Sequence, residues 1–163
     1  MTDARGRDRD LTWRRVTDLT GDFGRIAAVD HGLVVLVTTR ADGSAQASVV
    51  NAGVLANPID GSPSVALVAQ GRARKVANLR ARARATVVAR AGWEWAAVEG
   101  ATTIIGPDDL PPGFGAAQVP RLLRDVFTAA GGTHDDWDAY DRTMASERRA
   151  AVFIAAERVY SNG

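Results

Sequence analysis

The sequence has no cysteine, which excludes disulfides, thiolate nucleophiles and cysteine-ligated metal sites together. It also has no excess of charge of one sign. With 20 Lys+Arg against 19 Asp+Glu, the formal net charge is +1, and nothing global draws the chain to nucleic acid or an acidic partner. No apolar run approaches the roughly 18 residues that a membrane helix needs. The first ten residues are charged and lack the apolar stretch of a signal peptide, so a cytoplasmic location is expected. Histidine occurs only as His31 and His134. His134 lies beside Asp135 and Asp136, but a metal site needs several convergent ligands, and an acid-rich helix start explains these residues more simply. No Ser-His-Asp set or paired-carboxylate site is readable from order or spacing. That suits an enzyme whose cofactor supplies the chemistry.

What is present is one domain's worth of chain. Its 163 residues, 46% apolar and 24% charged, have the composition of a soluble globular protein. Residues 1–12 are expected to form a disordered arm and 13–163 a single domain. Leu19 to Asp30 has helical spacing of Phe23, Ile26 and Ala27. Gly32 to Arg40 is a β-branched strand, Ala41 to Ser44 a tight turn, and Ala45 to Asn51 the returning strand of a hairpin. A Pro/Gly-rich loop covers Gly53 to Pro63. Ser64 to Gln70 is a third strand, Arg72 to about Arg80 a helix, and Arg84 to Arg90 a fourth strand. Trp93 to Ile105 reads as a fifth, broken or bulged near Gly100, with Trp93 and Trp95 on one face. Val119 to Ala129 is a helix with Leu122, Leu123, Val126 and Phe127 on one side. Another helix follows Gly131-Gly132, capped by Thr133, with Trp137, Tyr140 and Met144 as core. Ala150 to Tyr160 closes as a last strand. Several antiparallel strands with few helices predict a small barrel.

Lysine is the second scarcity. Lys75 is the only one, and the other 19 cations are arginines. It falls just inside the predicted helix start that follows an apolar strand. There, free backbone N–H groups and the positive end of the helix dipole face outward together, which suits a phosphate. Asn78 lies three residues beyond Lys75 and four beyond Arg74, so all three side chains are neighbours on that helix. The run Arg80, Arg82, Arg84 has no interleaved aromatics for a nucleic-acid groove and reads as a solvated face or a patch for an anionic tail.

Four segments carry a family resemblance: LVTTRADGSAQASVVN (36–51), RARKVANLRARARATVV (72–88), GWEWAAVEGATTI (92–104) and the tail from Gly132 to Gly163. The chain resembles the flavin/deazaflavin oxidoreductases of split β-barrel fold that include pyridoxamine 5′-phosphate oxidase. Within them it is similar to the actinobacterial branch that uses coenzyme F420. The resemblance implies a mainly β (α+β) split barrel, FMN-binding-like, with a few peripheral helices. It also implies a homodimer with cofactor sites at the interface and no nucleic-acid or membrane partner. By that likeness Lys75, Arg74 and Asn78 would anchor the cofactor phosphate. Arg72 and Arg74 would hold the phosphate or the oligoglutamate tail that coenzyme F420 carries and FMN lacks. Gln46, Ser48 and Asn51 would line the ring edge, Val49 and Val50 would offer backbone, and Trp93 would reach the cofactor of the other subunit. The chain departs from many relatives in having Arg82-Ala83 where they have Asp-Pro, and Ala73 where some have a base.

The implied activity is hydride transfer from ring carbon C5 of reduced coenzyme F420 to an activated double bond or quinone-like small molecule. No catalytic residue or metal ligand is named. The alternatives are an FMN-dependent oxidase or reductase, and a non-catalytic deazaflavin- or haem-binding protein for which His31 and His134 would be the available axial ligands.

Overall fold

The computed structural model describes residues 20–162; the expected arm over 1–12 lies outside them. Seven strands run as β1 (Leu33–Thr39), β2 (Ala45–Val54), β3 (Ser64–Ala69), β4 (Arg84–Ala91), β5 (Glu94–Ile105), β6 (Ala150–Ala155) and β7 (Arg158–Ser161). The helices among the described residues are α1 (20–29), α2 (Arg74–Ala81), α3 (Val119–Ala129) and α4 (Trp137–Ser146). All strand pairs are antiparallel, and the β4–β5 pairing closes β1-β2-β3-β6-β5-β4 into a barrel, with β7 added to β5. Mainly β with peripheral helices is thus the observed class.

Strands β3 and β6 read as unbroken apolar runs because they serve two cores. Val65, Leu67, Val152 and Ile154 point into the barrel with Leu36, Val87 and Val98, where Phe23 and Ile26 of α1 and Val76 and Leu79 of α2 join them. The alternate residues Ala66, Ala151 and Phe153 point outward and pack under Leu122, Leu123 and Val126 of α3 and Tyr140 of α4. Period-two alternation with both faces covered gives such runs without an amphipathic signature.

Three expectations are corrected by the backbone. The predicted last strand is two strands, and the irregularity expected in β5 lies on its partner. Glu99 pairs with Arg158 and Thr102 with Ile154, so three steps along β5 face four along the β6–β7 segment. That extra residue is a bulge, and β5 itself stays continuous past Gly100. The second correction is at α4, where Asp136 rather than Thr133 is the cap, accepting from the Ala139 N–H at 2.9 Å. This bond holds the Asp136 carboxyl below the usual carboxylate range. The third is Trp93, which sits in the β4–β5 turn before β5 begins, so it does not share a strand face with Trp95.

Helix α3 lies against β2 because Gly53 has no side chain. A Cβ there would stand 2.0 Å from the carbonyl oxygen of Ala129. Gly53→Ala is therefore expected to destabilise the fold by about 1–3 kcal/mol through overpacking. Gly21→Ala, where a Cβ meets nothing within 4 Å on α1, should be neutral or slightly stabilising. Urea unfolding of the two variants checks the contrast; equal stability would contradict the close approach.

Candidate functional site

Strand β2 pairs with β1 along Ala45 to Asn51 but with β3 only at Ala52, Gly53 and Val54. Before Ala52 the two strands diverge, leaving one edge of β2 free. The direction of its polar groups follows from alternation. The Ala52 N–H donates to Gly32 on the β1 side, and the Leu55 N–H donates to Ser64 on the β3 side. Backbone groups of Val49 and Asn51 therefore face the free edge, and those of Val50 turn back to β1. A cleft of about 460 Å³ occupies the gap, lined by Val49, Val50 and Asn51, by Val68 to Gln70 of the diverging strand, and by Ala73 and Lys75. Its far wall is Val126, Phe127, Tyr140, Met144 and Arg149.

The start of α2 borders this cleft without a cap. Ala73 at the N-cap offers no side-chain acceptor, and the first turn carries no acid. The N–H groups of Arg74 and Lys75 have no acceptor among the described residues. The cations along this stretch then divide sharply. Arg80 forms a two-point pair with Asp109 and donates to the Gly71 carbonyl, Arg82 donates to Thr39, and Arg84 pairs with Glu157. Arg72, Arg74 and Lys75 make neither a hydrogen bond nor a close ion pair among the described residues, although Arg72 lies within electrostatic range of Asp108. The arginine-rich run is thus structural in its second half and unpartnered in its first.

Asn78 has a different setting from its neighbours. It is buried, and its Nδ2 donates to Thr38 Oγ1 at 3.0 Å and to Gln46 Oε1 at 2.8 Å. Both amide hydrogens are consumed, so this side chain pins α2, and with it Lys75, to the β1–β2 hairpin. Gln46 and Ser48 share the face of β2 that carries Val50, opposite Thr38, Leu36 and Val34. Asn51 lies on the other face and donates to the His31 carbonyl at 2.8 Å. Lys75, Val50 and Asn51 are brought together at the cleft; Gln46 and Ser48 are not in its lining, and Arg72 and Arg74 are exposed without lining it. Trp93 lies elsewhere, 91% exposed at the hairpin tip.

Sequence reasoning missed Arg149 and the aromatic wall. Phe127 and Tyr140 stack with centroids 5.0 Å apart, and burial raises the Tyr140 hydroxyl above its ordinary range while it donates to the Leu123 carbonyl. The adjacent arginines before the last apolar run were the only signal for Arg149. Neither histidine lines the cleft. His134 Nδ1 accepts from the Asp136 N–H, and the ring lies against Trp137 and Tyr140. Among the described residues no three His, Asp or Glu side chains converge as a metal site, and no helix is long and apolar enough to cross a membrane. A larger hollow, about 660 Å³, lies across α3, but its arginines are paired: Arg121 with Asp125 and Arg124 with Asp141.

No protein-family model matches the sequence. Solved structures do match its fold. A conserved hypothetical protein from Mycobacterium tuberculosis is 21% identical, with a TM-score of 0.60 over 84% of this chain and 81% of its own. A pyridoxamine 5′-phosphate oxidase-related, FMN-binding protein from Nostoc punctiforme is 14% identical, with a TM-score of 0.60 over 91% of this chain and 82% of its own. A protein described as an F420 reductase is 13% identical, with a TM-score of 0.54 over 78% and 88%. The barrel, its split between β2 and β3, and these likenesses give the chain the split β-barrel fold of the pyridoxamine 5′-phosphate oxidase-like proteins.

Proposed function

We propose that the protein is an oxidoreductase that binds reduced coenzyme F420 and reduces an activated double bond or quinone-like small molecule. The observation that carries this reading is the cluster of Arg72, Arg74 and Lys75, unpartnered at an uncapped helix start beside a cleft with a free strand edge. Three cations without a close ion pair are more than a single phosphate needs, and they suit a phosphate followed by an anionic tail. The residues present fit such a cofactor. Lys75 and the Arg74 and Lys75 N–H groups would hold the phosphate, Arg72 and Arg74 the tail, and the Val49 and Asn51 backbone the polar edge of the ring. The bound cofactor supplies a hydride; the protein orients the ring and keeps water from its face with Val50, Val68 and Phe127. Similarity to an F420 reductase supports this reading.

FMN is the second reading, favoured by the likeness to an FMN-binding protein and by the fact that its phosphate needs the same helix start. A homodimer belongs to the proposal in either case. The outer side of the β1–β2 hairpin exposes Leu33, Val35 and Val49 next to the cleft mouth, and a second copy covering them would bring in an exposed Trp93.

Titration of the protein with coenzyme F420 and separately with FMN, followed by cofactor fluorescence, tests the reading. Affinity for F420 at least about tenfold above that for FMN, or about 1.4 kcal/mol, is expected; the reverse order makes this an FMN protein, and binding of neither overturns both. Lys75→Ala should weaken cofactor binding by about tenfold or more, and a loss within about twofold would remove the phosphate site. Asn78→Ala should weaken it less. Its main effect is expected on stability, about 1–3 kcal/mol, because Thr38 and Gln46 lose their shared donor, and thermal unfolding measures it.

A further inference from the structure

The two sides of the cleft differ in chemistry, and the side facing β2, Phe127 excepted, has no role in cofactor binding as proposed above. Its surface is Phe127, Tyr140 and Met144 with one cation, Arg149. Glu147 accepts from Arg149 Nε at 2.6 Å, which holds the guanidinium by its inner nitrogen and leaves the terminal nitrogens without a partner among the described residues. Those two nitrogens present parallel donors, the arrangement that matches the two oxygens of a carboxylate. Glu147 also cancels the unit charge locally, so this side has none of the surplus that a phosphate dianion draws from the Arg72–Lys75 cluster. Beside the guanidinium, Phe127 offers apolar area for a conjugated ring, backed by the tilted and nearly buried Tyr140.

The backbone fixes Arg149 relative to Lys75. The Gly71 N–H donates to the Arg148 carbonyl at 3.1 Å, tying the turn that leads into α2 to the turn that leads into β6. A Cβ on Gly71 would sit 2.4 Å from that same carbonyl oxygen, so the contact needs glycine. Arg148 itself adopts φ 49, an uncommon conformation for a residue with a side chain, and its guanidinium is anchored on Asp108. Strain of this kind persists where surrounding contacts hold it in place, here one residue before Arg149.

We infer that the side of the cleft formed by Phe127, Met144 and Arg149 is a substrate subsite for a planar, conjugated carboxylic acid, with Arg149 gripping the carboxylate and Phe127 and Met144 packing the ring against a backing Tyr140. This rests on the cofactor reading for the meaning of the site, but its test does not depend on it. Calorimetric titration of the full-length protein, with and without cofactor, would use naphthoate and its uncharged analogue naphthamide. The acid should bind at least about tenfold tighter than the amide. Arg149→Met should abolish that preference while leaving cofactor affinity within about twofold, and Arg149→Lys should restore part of it. Lys75→Ala should leave the preference intact. Equal binding of acid and amide by the unmodified protein would overturn the subsite whether or not the variants fold. So would an Arg149→Met loss of cofactor affinity as large as its loss of acid binding, or a preference that vanishes with Lys75. A preference that depends on Arg149 in a protein that binds neither cofactor would support the subsite and refute the cofactor reading.

Discussion

The site depends on the early end of one strand pairing. Strand β2 pairs with β1 from Ala45 to Asn51 but with β3 for only three residues. A complete ladder there would close the barrel wall and bury the edge. Instead the backbone polar groups of Val49 and Asn51 are left facing a cleft, where water or a ligand must satisfy them. The divergence is enforced from both ends. Gly53 lets the C-terminal end of α3 press onto β2 just past the split, and Gly71 ties the end of the β3 excursion to Arg148.

The same architecture explains why some cations are free and others are not. Arg80, Arg82 and Arg84 fall where α2 turns back along the barrel, within reach of Asp109, the Thr39 carbonyl and Glu157. Arg74 and Lys75 fall at the split beside an uncapped helix end, and Arg72 feels only the field of Asp108, which is bonded to Arg148. An uncapped helix start with three bare cations gains little for folding, since like charges repel and orphan N–H groups go unmet. Its arrangement suits the anion site proposed, and Asn78 holds α2 to the hairpin by bonding Thr38 and Gln46.

Much of this was legible in the sequence, for identifiable reasons. The hairpin showed itself through β-branched runs around Ala41 to Ser44, α3 through its apolar face, and the phosphate candidate through the isolation of Lys75. The face of each β2 residue was also there to be read: alternation alone separates Asn51 from Gln46 and Ser48, which the family likeness had grouped together. Other features have no local signature. Thr133 and Asp136 are both eligible caps, and the choice depends on where Trp137 packs. The bulge between β6 and β7 is a mismatch with β5, visible only in the pairing. Arg149 acquires its position through the contact of its neighbour Arg148 with Gly71, 77 residues earlier in the numbering, and no spacing rule reaches that far.

The central claim is that the start of α2 binds the cofactor's phosphate, and amide NMR reads it directly. With ¹⁵N-labelled protein titrated to saturation with the tighter-binding cofactor, the Arg74 and Lys75 amide signals should shift among the most strongly in the spectrum. Those of Arg80 and Arg82, whose side chains are spent on the fold, should move little. Saturable binding that leaves Arg74 and Lys75 unmoved would place the phosphate elsewhere and contradict the account.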